Sequence, residues 1–105
     1  MFSYSVDNVQ GRPVIRLVGD LTLEHSRDIL SELLTSLSAH SDITIDLGET
    51  TKSDLSFFLI LYALLKHPTA NIGFARLPKH LFDNAQNLGA DDLMKELSTR
   101  VEKNA

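Results

Sequence analysis

Residues 50–66, TTKSDLSFFLILYALLK, decide how the rest of the chain is read. The stretch opens on a polar cluster, Thr50 to Asp54, and runs from Phe57 to Leu65 with only the Tyr62 hydroxyl as a side-chain polar group. A helix apolar all round must be buried on more than one side or must serve a partner. The run is about half of the roughly 20 apolar residues that span a bilayer, which predicts a core helix and no membrane insertion. We place that helix from about Ser53 to Lys66. His67-Pro68-Thr69 stops it, because proline disfavours helical geometry in the residue before it. Ser53 is then the predicted cap, and Ser56 lies at about the third helical position.

Upstream, Asp42–Leu47 (DITIDL) reads as a strand with Ile43 and Ile45 on one face, and Gly48 to Lys52 as the loop to the helix. Phe2 to Val9 alternates weakly and predicts a first strand. Val14-Ile15-Arg16-Leu17-Val18 predicts a second, with a turn between them at Gly11 and Pro13 and an end at Gly19-Asp20. From Leu23 to His40 the period becomes helical: Ile29, Leu30, Leu33, Leu34 and Leu37 share one face, and Glu24, Arg27, Asp28 and Glu32 fall mostly on the other. Thr22 is the predicted N-cap of that helix, and His40 falls at its C-terminal end.

Downstream, Asn71–Leu77 predicts a strand. Pro78 opens a short helix that Gly89 closes, and Asp91 to Lys103 forms a final amphipathic helix carrying Leu93, Met94, Leu97 and Val101. The order β-β-α-β-α-β-α-α requires crossovers after the initial hairpin, and crossovers give parallel neighbours. The expected fold is α/β, a mixed four- to five-stranded sheet with helices packed against it, in one domain over residues 1–105.

Composition narrows the function. The chain is 43% hydrophobic and 23% charged, ordinary for a globular domain. Its net charge of −4 and ten scattered Lys and Arg residues argue against nucleic acid, because phosphate binding needs clustered cations. There is no cysteine, which excludes disulfides and thiol chemistry. The first residues lack the basic and apolar segments of a signal peptide, and the expectation is a cytoplasmic protein.

No enzyme signature is present. The glycines are too dispersed for a phosphate loop, and there is neither a nucleophile elbow nor a helical HExxH pattern. His25, His40, His67 and His80 do not share metal-ligand spacing and read as solvent-facing or capping residues. Asp91-Asp92 and Glu49/Asp54 are weak pairs, and a first-turn Asp usually serves the helix dipole. We expect no catalytic residue, cofactor or metal.

Ser53 and Ser56 allow two readings. Capping and first-turn placement alone explain both hydroxyls. Alternatively, a phosphate at Ser56 would add roughly −1.5 to −2 charge beside the positive end of the helix dipole, tolerated by the fold but not by a partner docked on that surface.

The segments VIRLVGDLT, ITIDLGETTKSDLSFFLILYAL and IGFARLPKHLFDNAQNLGADDLM resemble, in order and spacing, the STAS domains of anti-sigma-factor antagonists and their relatives. The resemblance covers nearly the whole chain. It implies a STAS-like sheet with helices against it and a non-enzymatic binding module, often controlled by a serine kinase and a phosphatase acting at the start of the second helix. The family motif there is roughly Asp-Ser-Ser-Gly-Leu. Asp54 falls on its Asp, Leu55 on the usual phosphoacceptor, Ser56 on the second Ser and Phe57 on the Gly. The chain departs from the motif at Leu55 and Phe57, so either phosphorylation is lost or Ser56, the only hydroxyl inside the matched motif, takes it with a one-residue shift, with Ser53 as fallback. The implied partner interface is Asp20, Thr22, Lys52, Ser53, Asp54, Leu55, Ser56 and Phe57. The DLS variant is also similar to the small SypA-type STAS regulators of biofilm polysaccharide. Partners implied are an anti-sigma-type serine kinase/phosphatase and a downstream regulatory protein. The alternative is a constitutive subunit of a transport or other multiprotein complex, independent of phosphorylation, to which Leu55 and Phe57 would add apolar surface.

Overall fold

The computed structural model describes residues 2–9, 12–40, 42–66 and 71–100. The strands β1 (Phe2–Val9), β2 (Arg12–Leu21), β3 (Asp42–Ser53) and β4 (Asn71–Phe74) form one sheet in the order β1-β2-β3-β4. β1 pairs antiparallel with β2, and the β2–β3 and β3–β4 pairs are parallel, as the crossovers require. The helices are α1 (Ser26–Ala39), α2 (Leu55–Leu65), α3 (Lys79–Leu88) and α4 (Asp91–Thr99), with a 3-10 turn, Leu23–His25, ahead of α1.

Alternation along the strands sends Ile15, Leu17, Ile43, Ile45, Leu47, Ile72 and Phe74 into one continuous core. Ile29 and Leu33 of α1, Phe57, Phe58, Ile60, Leu61 and Leu64 of α2, and Leu81, Ala85, Leu93, Met94 and Leu97 of α3 and α4 complete it. Each fully buried side chain of this size contributes about 1.5–3 kcal/mol over its exposed state. Arg16, Thr44 and Asp46 point to the opposite face. There Asp46, 4% exposed, is held by Arg76 through two hydrogen bonds of 2.9 and 3.0 Å, by Arg16 at 3.4 Å and by the Gly48 N–H at 2.9 Å. Burial pushes the Asp46 carboxyl up, but these donors outweigh it and hold it below the usual carboxylate range.

Several boundaries differ from the sequence reading. The segment Gly48–Lys52 is not a loop. β3 runs on through Ser53, pairing Val18 with Glu49, Gly19 with Thr50 and Leu21 with Ser53, with register shifts that leave extra residues in β3. Gly19 supports this with a φ of 94°, a conformation glycine adopts without strain. Residues that look turn-like find partners here: the Thr50 hydroxyl donates to the Leu47 carbonyl at 2.7 Å and Thr51 to Asp20 at 2.8 Å. Leu34 of α1 is exposed, and Ser36 takes a buried place on that helix instead. Thr22 stands at the N-cap of the 3-10 turn without a side-chain cap bond. β4 ends at Phe74, short of Leu77. Gly89 closes α3 with a φ of 73° as expected. The predicted stop at His67-Pro68-Thr69 and the contribution of Val101 lie outside the described residues.

Candidate functional site

The C-terminal ends of the parallel strands β2 and β3 meet the N-terminus of α2. In open α/β sheets this end of the strands is where ligands and partners gather. Asp20, Thr22 and Lys52 through Ser56 all converge here, with Asp20 paired to Lys52 and Leu21 to Ser53 across the strands. The Lys52 ammonium lies 4.0 Å from the Asp20 carboxylate.

The cap of α2 is Asp54, not Ser53. Asp54 has extended backbone angles, and its Oδ1 accepts the Ser56 N–H at 3.0 Å. Ser56 is therefore the second helical residue rather than the third. Its hydroxyl also donates to Asp54 Oδ1. Oδ2 accepts the Leu23 N–H at 3.0 Å, and the Asp54 N–H donates to the Leu21 carbonyl at 3.2 Å. Partial burial pushes the Asp54 carboxyl up, yet the Ser56 hydroxyl and the N–H groups of Leu23, Ser56 and Phe57 hold it below its ordinary value. One carboxylate thus ties the first turn of α2 to the link between β2 and α1.

Ser53 has another role. Its hydroxyl lies 3.3 Å from His80 Nδ1, and Asn84 Nδ2 donates to its carbonyl and its Oγ at 2.9 and 3.0 Å. On the other side of the ring, His80 Nε2 lies 2.8 Å from Thr50 Oγ1, whose single proton goes to Leu47. With the Thr50 proton committed to Leu47, Nε2 carries a proton towards Thr50 Oγ1, while Nδ1 faces the Ser53 hydroxyl. Burial lowers the His80 pKa, against an opposing hydrogen bond to the Thr50 backbone and the charge of Asp83. The solvent-facing or capping reading of His80 is thus corrected: it is part-buried and bridges α3 to β3. His80 and Asn84 fall one turn apart beside Leu81 and Ala85, and that spacing was the available signal for an inward-leaning polar pair.

The apolar surface of the site comes from α2. Leu55, Leu59 and Tyr62 are 53, 58 and 40% exposed and follow one another along a single helical stripe that starts beside Ser56. Phe57 is 1% exposed and belongs to the core, so it offers a partner no surface and is removed from the expected interface. Among the described residues, one group offers three potential metal ligands within 4.8 Å of one another, Asp20, Glu24 and His25, which the sequence reading did not assemble. Glu24 is exposed, and acidic clusters of this kind are common without an ion.

A sequence model of the family described as "Mlab, STAS domain" matches residues 4–97. The chain belongs to the STAS family. This STAS domain is similar in fold to an anti-sigma factor antagonist from Mycobacterium paratuberculosis, with a TM-score of 0.75 at 14% identity over 89% of this chain and 82% of that one. It is also similar to the anti-sigma factor antagonist SpoIIAA in its unphosphorylated form, with a TM-score of 0.61 at 15% identity over 89% and 98% of the two chains. A protein from Shewanella loihica with a SpoIIAA-like fold gives a TM-score of 0.53 at 19% identity over 84% and 75%. No curated protein matches the sequence. At these identities the solved structures establish the fold alone, and membership of the STAS family rests on the family match. No helix among the described residues is long and apolar enough to cross a membrane.

Proposed function

We propose that this STAS domain is a non-enzymatic cytoplasmic regulator that switches protein partners according to the phosphorylation of Ser56. The observation that carries the reading is the Ser56 hydroxyl on the Asp54 carboxylate, at the head of the exposed stripe Leu55, Leu59 and Tyr62. Phosphorylation would replace the donated proton with a group of about −1.5 to −2 charge, placed against an ionised Asp54. Repulsion would drive Asp54 off the cap, and the phosphate would take the helix N–H groups. Leu23 would lose its acceptor, so the change would spread from α2 to the 3-10 turn. Ser53 supports the choice by contrast, because its hydroxyl is already committed to His80 and Asn84. The partners are an anti-sigma-type serine kinase/phosphatase and a downstream regulatory protein, and biofilm or exopolysaccharide control is the proposed setting.

Incubation with the cognate kinase followed by mass spectrometry should map phosphate to Ser56. Modification confined to Ser53, or none, defeats the assignment. Ser56→Ala and Ser56→Asp should differ in partner capture in opposite directions, and identical behaviour argues against a charge switch.

A second reading is a constitutive subunit of a multiprotein complex. Leu55 favours it, because it places a large exposed apolar side chain at the family's usual phosphoacceptor position. A stable complex that forms equally with unmodified and phosphorylated protein selects this reading.

A further inference from the structure

We propose that the groove between β1 and α1 takes an extended basic segment of a partner protein, added as a further strand on the free edge of β1. The two edges of the sheet are treated differently. At β4 the Phe74 N–H donates to the Arg100 carbonyl at 2.9 Å, and the Arg100 guanidinium donates to the Ile72 carbonyl at 3.3 Å, so the end of α4 blocks that edge. At β1, among the described residues, no backbone group beyond β2 is hydrogen-bonded. Edges are usually blunted by Pro, Lys or a bulge. Residues 2–9 contain neither Pro nor Lys, and their register with β2 is one-to-one from Phe2↔Gly19 to Val9↔Arg12.

The side chains beside this edge specify the occupant. Tyr4 and Val6 pair with Leu17 and Ile15, which puts them on the helix-bearing face, yet they are 48 and 49% exposed. Next to them lies an open groove of about 430 Å³, lined by Phe2, Tyr4, Asp28 and Glu32 among others. Asp28 and Glu32 are one turn apart on α1, and among the described residues neither is in an ion pair with a cation. The Glu32 carboxylate, and to a lesser degree Asp28, raise the Tyr4 phenol pKa, a mark of the negative field here. A strand laid on β1 points every second side chain into this groove. A Lys or Arg there would lay its alkyl stem on the Phe2 and Tyr4 rings and its charged head on the two carboxylates. A second copy of the chain fits less well, because β1 has no cation within Phe2–Asn8 to offer the groove. The groove uses none of the residues around Ser56.

Fluorescence anisotropy with a short labelled peptide alternating Lys and Thr tests this on the full chain. Binding should weaken with salt, shift the NMR amides of residues 2–8, and fall at least about tenfold in the doubly substituted Asp28→Lys, Glu32→Lys protein. N-methylation of alternate peptide amides should abolish it. Equal binding of a Glu-Thr peptide, equal binding of the N-methylated peptide, or amide shifts away from β1 overturns the proposal. So does a dimer in sedimentation that buries β1 and excludes the peptide.

Discussion

Asp54 receives both the backbone N–H and the hydroxyl of Ser56 on one carboxylate oxygen, while its other oxygen holds the N–H of Leu23. A cap that bridges two segments should matter more than one that serves its own helix. Asp54→Ala should lower unfolding free energy by about 1–2 kcal/mol, and Asp54→Asn, which keeps an acceptor, by less. Urea titration measures both. Amide exchange at Leu23 should speed up in the alanine variant. The folded carboxyl lies below its unfolded value, so its contribution is complete above about pH 4 and disappears as pH falls through the lowered folded pKa. An acid titration of stability should be flatter in Asp54→Asn than in the parent.

The Asp46–Arg76 pair leads to a prediction about Gly48. A Cβ at Gly48 would overlap the Arg76 guanidinium, so Gly48→Ala must shift that side chain and disturb its hold on Asp46. Asp46 would keep Arg16 but be held less well by Arg76. The expected effect is a small loss of stability, read as a lower denaturation midpoint, because the guanidinium is the mobile end of a half-exposed side chain. In an Arg76→Ala background the same substitution should be nearly silent, because the clash is already gone. A double-mutant cycle by chemical denaturation measures this non-additivity, and additive effects would show that Gly48 matters for another reason.

What could be read from the sequence follows from how local each signal is. β1, α3, the C-cap at Gly89 and the mixed sheet were legible because alternation, Pro78 and Gly89 act within a few residues of themselves. The extension of β3 to Ser53 was not, because Gly48-Glu49-Thr50-Thr51-Lys52 is turn-like in composition and is held extended by distant partners, β2 and His80. The site was half legible. Ser56 and Asp54 stood out in the motif, but the cap moved by one residue. Phe57 turned inward, since an apolar run does not say which of its side chains face the sheet. His80 and Asn84 arrive from a later helix, and a lone histidine in sequence carries no sign of the two hydroxyls that flank it.

His80 should make stability depend on pH near neutrality. Its folded pKa is lowered, so the unfolded chain binds the proton more readily. Stability is therefore complete above about pH 6.5, the ordinary histidine value, and declines as pH falls through the lowered folded pKa. His80→Gln should remove this slope while keeping a polar side chain beside Thr50 and Ser53. Thermal melts between about pH 7.5 and 5 test it, and a parent curve that is flat over that range counts against a lowered His80 pKa.

Phe58 and Leu59 are adjacent in α2 and face opposite ways, 1 and 58% exposed. Their substitutions should separate folding from binding. Phe58→Ala should cost about 3–5 kcal/mol by opening a cavity in the core. Leu59→Glu should change stability by less than about 0.5 kcal/mol, because the side chain touches mainly solvent. If the stripe from Leu55 to Tyr62 is the contact surface next to Ser56, Leu59→Glu should nonetheless abolish capture of the cognate kinase in a pull-down. Retained capture by Leu59→Glu, with capture lost in Ser56→Asp, would confine the contact to the first turn of the helix. The stripe would then be left without a role in the switch.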